Sequence, residues 1–140
     1  QLPFLARSIG FVPIVPVLFG SPAGPWHARI GEVLARMLDA SDLVITSTDL
    51  SHYLNEPSAN AIDHRSIDAV LGKDWRAYAQ GIQEKSCSMC GAAAVTAAMT
   101  LAHARHAEDW KLLDYRTSAA VSGDRNRVVG YAAISMERAA

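Results

Sequence analysis

Residues 43–53 read Leu-Val-Ile-Thr-Ser-Thr-Asp-Leu-Ser-His-Tyr, and this stretch decides both the predicted fold and the predicted site. Its first part, Leu43–Thr46, is apolar and β-branched, which predicts a short buried strand. The part that follows, Ser47–Tyr53, is polar at every position except one and breaks the strand. In open α/β sheets, the crevice at the carboxyl ends of the strands is the usual ligand site. We therefore expect a functional crevice in this polar segment.

The sequence on either side alternates between strand-like and helix-like patterns. Phe11–Phe19 is rich in Val and Ile and predicts a buried strand, and Trp26–Leu38 carries apolar residues at helical spacing. This order predicts a parallel βαβ unit at the front, whereas a close pair of strands at the back predicts an antiparallel hairpin. The predicted fold class is therefore α/β, with helices packed over a mixed sheet. The other predicted elements are the end of a helix over Gln1–Ser8, helices over Pro57–Leu71, Trp75–Gln83 and Gly91–His106, and strands over Trp110–Tyr115 and Arg127–Ser135 joined by the polar loop Thr117–Asn126.

Length and composition limit the class of protein. The 140 residues predict a single domain over 1–140, and a hydrophobic content of 50% excludes a disordered tail. With 13 basic and 14 acidic residues, the net charge of -1 indicates neither a nucleic-acid groove nor a polybasic membrane surface. The longest apolar stretch, Ile9–Phe19, contains prolines and is too short to span a bilayer. The cysteine count of two favours a reducing compartment, so we expect a cytoplasmic protein.

Asp49 and His52 are the first candidate functional residues. They are three positions apart, so both side chains face the same space if the segment turns helically. A carboxylate beside an imidazole can orient a general base, hold a proton or help to form a metal shell. The alternative is a strand end followed by a capped turn, in which Ser, Thr and Asp side chains bond to backbone N–H groups.

Cys87 and Cys90 form a Cys-x-x-Cys motif just before a predicted helix. One interpretation is a dithiol redox pair activated by the helix dipole. Another is half of a zinc site, although the sequence contains no second cysteine pair. A third is that Cys90 alone matters, with Gly91 allowing a close approach of the backbone. The structural alternative is two buried cysteines that pack as small hydrophobic residues.

Taken together, these motifs resemble the Memo family, whose bacterial and archaeal members are often called AmmeMemoRadiSam system protein B. The Ser-x-Asp-x-x-His-Tyr segment ahead of a Cys-Gly is the specific part of the resemblance. The matching segments, in family order, are Gln1–Leu5, Val12–Val17 closing on Gly20, Ser47–Tyr53, Asp63, Cys90-Gly91, Tyr115–Ser118 and Val129–Ala133. The family is related in fold to the class III extradiol ring-cleaving dioxygenases.

The resemblance implies a set of roles for these residues. Asp49 and His52 match the family's Asp-x-x-His and should line the pocket as catalytic residues. Cys90 matches the family's metal-ligating cysteine, and Cys87 is outside the family pattern. The family's N-terminal half supplies two further metal-binding histidines, and the resemblance covers only the C-terminal half. Because this chain starts at Gln1, we expect an N-terminally truncated fragment that binds the metal weakly or not at all by itself.

The leading prediction is thus a Memo-like part of a metal-dependent redox protein with a dioxygenase-like pocket, in which the full-length protein holds iron or copper. The expected partners are the missing N-terminal half and, by resemblance, radical-SAM and AMMECR-type proteins, without nucleic acid or membrane. Two alternatives remain open. One is a non-enzymatic module that binds a peptide or small ligand in the same crevice. The other is a dithiol redox protein that uses Cys87 and Cys90.

Overall fold

The computed structural model of the protein describes residues 1–20 and 22–138. Within these ranges, six helices and three strands follow one another along the chain. No helix there has the length and apolar character that a bilayer crossing requires. The elements are α1 (Leu2–Ile9), α2 (Pro25–Met37), β1 (His52–Leu54), α3 (Glu56–Leu71), α4 (Trp75–Gln83), α5 (Ala92–Ala104), β2 (Asp109–Thr117), α6 (Ala119–Ser122) and β3 (Val128–Glu137).

The three strands form one antiparallel sheet in the order β1-β3-β2. β2 and β3 make a long hairpin whose register runs from Asp109 opposite Glu137 to Thr117 opposite Gly130, with one irregularity between Leu112 and Asp114. β1 adds only three residues to the free edge of β3. The central strand β3 therefore connects the hairpin to the segment that carries the candidate site.

Local sequence signals explain where the helices begin. Asn55 caps α3 by accepting the Ser58 N–H at 3.0 Å, and Asp74 caps α4 by accepting two N–H groups. α2 lies directly against α5, and the Thr100 hydroxyl donates to the Ala28 carbonyl at 3.0 Å. The main core fills the space between the sheet, α3, α4 and α5, and its largest fully buried members are Tyr78, Leu50, Ile67, Met99 and Val70.

The α/β class is confirmed, and so is the antiparallel hairpin at the back of the chain. The prediction of a mixed sheet with a parallel βαβ unit is wrong for the described residues, where every strand pairing is antiparallel. Phe11–Phe19 and Leu43–Thr46 form no strands. Their apolar side chains are largely exposed, with Phe11 and Leu18 each at 98%. The physical reason is that a strand is defined by its hydrogen-bonded neighbour, and neither segment pairs with another strand in the described part of the chain.

Candidate metal centre

Asp49, His52 and Cys90 converge, as their motifs predicted. Each offers one potential ligand atom, and these three atoms lie within 4.8 Å of one another. In the part of the chain that the structure describes, this is the one group of three or more His, Cys, Asp or Glu residues with metal-binding spacing. His52 and Cys90 are exposed and Asp49 is partly buried, so the cluster opens toward solvent.

Reciprocal hydrogen bonds lock the cysteine loop onto the Asp49 backbone. The Asp49 N–H donates to Cys90 Sγ at 3.1 Å, and the Cys90 N–H donates to the Asp49 carbonyl at 3.1 Å. Metal-binding cysteine sulfurs commonly accept hydrogen bonds from backbone N–H groups, as Cys90 Sγ does here. Cys90 also directly precedes Gly91, the N-cap of α5, where the helix dipole favours negative charge. The loop therefore holds the sulfur in an anion-stabilising position.

The Thr48 hydroxyl clamps the same two segments together. It accepts the Gly91 N–H at 2.8 Å, donates to the Asp49 carbonyl at 2.9 Å and lies 3.7 Å from Cys90 Sγ. A Cβ at Gly91 would come within 2.8 Å of Thr48 Cβ and 2.9 Å of the Ser47 carbonyl oxygen. Glycine is therefore required here for the close approach of the two backbones.

Asp49 and His52 form a pair that the solvent can reach. Asp49 Oδ2 lies 3.5 Å from His52 Nε2, and both side chains are partly exposed. A carboxylate facing Nε2 favours the tautomer that carries its proton on that nitrogen. Nδ1 of His52 is then left with a lone pair, so the ring can accept a proton there or bind a metal.

His52 is aimed by an irregularity in β1. Tyr53 has a φ of 62°, in the left-handed region that non-glycine residues seldom occupy, and the β1–β3 register shifts between His52 and Leu54. The Arg127 guanidinium lies 5.1 Å from the centre of the Tyr53 ring, in cation–π geometry. Bulges of this type re-aim side chains beside functional sites, and here the bulge is adjacent to His52.

Cys87 lies away from the cluster. It is buried, its thiol lies 3.8 Å from the Arg65 carbonyl oxygen, and a Cβ at Gly81 would come within 2.8 Å of its sulfur. Its surroundings are those of a packed core residue. Two cavities of about 370 and 380 Å³ lie along β2, and no residue of the cluster lines either of them.

Sequence reasoning gave no role to Thr48, Asp63 or Tyr115, although all three support the site. Asp63 is completely buried, accepts the Ser51 N–H at 2.9 Å and accepts the Tyr115 hydroxyl at 2.9 Å. Burial, followed by the hydrogen bond to Asp63, raises the pKa of the Tyr115 phenol above its ordinary range. A usable signal did exist, because Asp63 stands three, four and seven residues before Ser66, Ile67 and Val70 and therefore shares their buried face of α3.

Comparisons with known proteins point to one family. A family model described as Memo-like protein matches residues 1–135. The chain is 34% identical over 145 residues to the MEMO1 family protein of Methanopyrus kandleri, and the matched region covers 99% of this chain and 50% of that protein. It is 33% identical to the MEMO1 family protein of Methanosarcina mazei, over 98% of this chain and 53% of the relative. It is 35% identical to the one of Methanococcoides burtonii, over 96% of this chain and 52% of the relative. The chain thus spans about half the length of the curated relatives it matches.

Proposed function

The chain belongs to the Memo-like family, and from that premise we propose that it carries one side of a metal-dependent redox centre with dioxygenase-like chemistry. In this proposal Cys90 binds the metal, and His52 and Asp49 act as an acid–base pair beside it. The observation that carries the proposal is the convergence of a thiol, an imidazole and a carboxylate within 4.8 Å, from segments about forty residues apart in the chain.

The donor set fits iron or copper. Cys90 would hold the metal through its sulfur, and the ligand atoms of His52 and Asp49 lie within 4.8 Å of that sulfur, close enough to act on a group bound beside it. A soft thiolate combined with imidazole favours Fe(II) or Cu(I) over Mg²⁺. When bound, the metal would supply one-electron chemistry and polarisation of a substrate oxygen.

His52 is the proton carrier in this proposal. With Nε2 directed at Asp49, its Nδ1 takes a proton from a substrate group, and the Asp49 carboxylate stabilises the imidazolium that forms. The partial exposure of both side chains lets a small substrate reach Nδ1 directly. Asp49 has two tasks, because its side chain orients His52 while its backbone N–H and carbonyl hold Cys90.

We propose that an upstream half, like the one that makes the relatives about twice as long, supplies the remaining ligands and covers the apolar segment 11–18. Support comes from the exposure of Phe11, Val15 and Leu18 at 98%, 87% and 98%. Exposed apolar surface of this kind marks a missing partner. A cytoplasmic location, which would keep Cys90 reduced, and association with radical-SAM and AMMECR-type proteins stay predictions.

The test compares Cys90→Ser with Cys87→Ser in metal-binding titrations of the full-length protein with Fe(II) and Cu(I). We expect Cys90→Ser to weaken binding by more than about 100-fold, because a hydroxyl is a poor substitute for thiolate at a soft metal. Cys87→Ser is the matched control and should bind like the wild type, since Cys87 is buried against Arg65. Equal losses from both substitutions, with a measurable Cys87–Cys90 disulfide potential, would instead favour the dithiol function.

A further inference from the structure

A buried carboxylate lies directly beneath the cluster and needs an explanation. Asp63 is 0% exposed, and none of the ion pairs within the described residues includes it. Burying an ionised carboxylate without a cationic partner is costly unless hydrogen bonds compensate. Two donors do so here, the Ser51 N–H on Oδ1 and the Tyr115 hydroxyl on Oδ2, both at 2.9 Å.

The residue that Asp63 holds, Ser51, lies between Asp49 and His52 in the chain. Ser51 immediately precedes His52, and Leu50 immediately follows Asp49. β3 fixes the other side of the same segment, because Gly130 accepts the Leu50 N–H at 2.9 Å and donates its own N–H to the Ser51 carbonyl at 3.0 Å. The bond from the Ser51 N–H to Asp63 Oδ1 fixes the residue before His52 on the helix side, while Asp49 is held separately by its two backbone hydrogen bonds to Cys90.

We propose that Asp63 is a positioning residue for the Asp49–His52–Cys90 cluster, acting through the Ser51 N–H, and this inference rests on the proposed function of that cluster. Tyr115 supports Asp63 from β2, since its hydroxyl donates to Oδ2 and also lies 2.9 Å from Asn60 Oδ1. The carboxylate thus ties α3, β2 and the 50–52 segment to one point. Preorganised ligand geometry of this kind depends on such outer hydrogen bonds, whose loss typically costs about 10–100-fold in metal affinity.

The test uses Asp63→Ala, which removes both acceptor oxygens, beside Asp63→Asn, which keeps one oxygen that can accept the Ser51 N–H. The first readout is the set of His52 imidazole resonances in the metal-free protein, assigned with His52→Gln. The second is binding of Co(II) alone to the full-length protein, followed by its thiolate charge-transfer band. Val70→Ala is the matched control, because Val70 is 1% exposed on the same helix, two turns from Asp63, and its side chain has no polar group that could bond to Ser51 or to the cluster.

We expect Asp63→Ala to shift the His52 resonances and to weaken Co(II) binding by about tenfold or more, with Asp63→Asn and Tyr115→Phe intermediate. Val70→Ala should destabilise the fold and leave both readouts at wild-type values. Unchanged His52 resonances in Asp63→Ala, or equal changes in Val70→Ala, would overturn the positioning role. If the wild type shows no Co(II) band that disappears in Cys90→Ser, the proposed function fails, while the metal-free resonances still decide the role of Asp63.

Discussion

Gly130→Ala is expected to destabilise the chain by about 2–5 kcal/mol, although alanine fits an ordinary strand. A Cβ at Gly130 would lie 1.8 Å from Asp63 Oδ2, 2.7 Å from Asp63 Cγ and 3.1 Å from Leu50 Cβ. Real Cβ contacts essentially never fall below 3.0 Å, so the carboxylate would have to retreat by about 1.2 Å. Asp63 is fully buried and bonded on both oxygens, so it has no free space into which it can move.

The magnitude follows from the bonds that this displacement breaks. Losing one hydrogen bond to a buried charged group costs about 1.5–3 kcal/mol, and overpacking a filled core costs about 1–3 kcal/mol more. The lower backbone entropy of alanine in the unfolded chain offsets about 0.4–1 kcal/mol of this. With a urea m-value of about 2 kcal/mol/M, the unfolding midpoint should fall by roughly 2 M.

The assay is equilibrium urea unfolding followed by circular dichroism. Gly20→Ala is the control, because a Cβ there meets nothing within 4 Å, and its effect should stay within about 0.5 kcal/mol. The same Gly130→Ala change should cost far less in an Asp63→Ala background, where only the Leu50 contact remains. A cost below about 1 kcal/mol in the wild-type background, or an equal cost in both backgrounds, would refute the proposed clash with Asp63.

Three other predictions concern separate parts of the structure. Thr48→Val should weaken Co(II) binding and lower the free energy of unfolding by about 1–3 kcal/mol, because the Gly91 N–H loses its acceptor. Thr48→Ser keeps the hydroxyl and should behave like the wild type. Equal behaviour of the two variants would contradict the role of the Thr48 hydroxyl. Burial raises the pKa of Tyr78 and of Tyr115, so at alkaline pH the native state keeps both protons while the unfolded state releases them. The free energy of unfolding should therefore be unaffected below about pH 10 and fall as the pH rises above it. Absorbance titration should show phenolate forming at a higher pH in the native than in the unfolded chain. Finally, the exposed apolar segment 11–18 should make the isolated chain self-associate or leave it marginally stable, and a concentration-independent monomer in sedimentation with a cooperative thermal transition would contradict this.

The parts of the fold that sequence predicts well are those set by local signals. α3 begins one residue before its predicted start at Pro57, α4 begins at its predicted start at Trp75, and the β2–β3 hairpin lies where two strand-like stretches stand close together in the chain. Phe11–Phe19 shows the opposite case, because its apolar pattern indicates burial but does not say what buries it. A strand needs a neighbour, and the described residues offer none to that segment. Local pattern therefore predicted helices and the hairpin, and failed where pairing is non-local.

The same distinction applies to the site. Spacing placed Asp49 beside His52, and the expected crevice together with the family resemblance placed Cys90 with them; the geometry confirms that the three converge, whereas their metal-binding and catalytic roles stay predictions. β1 escaped prediction because its three residues are exposed, show no strand-like alternation and owe their strand geometry to β3. Asp63 carried a local signal in its helical spacing, yet the group that it contacts, the Ser51 N–H, is fixed only by tertiary structure.

Non-local anchoring also explains how the strained backbone beside His52 is maintained. The 49–51 segment is bonded to Cys90 on one side, to Gly130 on β3 and to Asp63 on α3, so three separate parts of the chain fix consecutive residues. A non-glycine residue at a φ of 62° costs about 1–3 kcal/mol and persists only where the surrounding structure over-determines it. Tyr53 meets that condition because the anchored segment leads directly into it. Loosening any one anchor should therefore let Tyr53 relax toward ordinary strand geometry and carry His52 away from Cys90, so the strain at Tyr53 and the convergence of the cluster should be lost together.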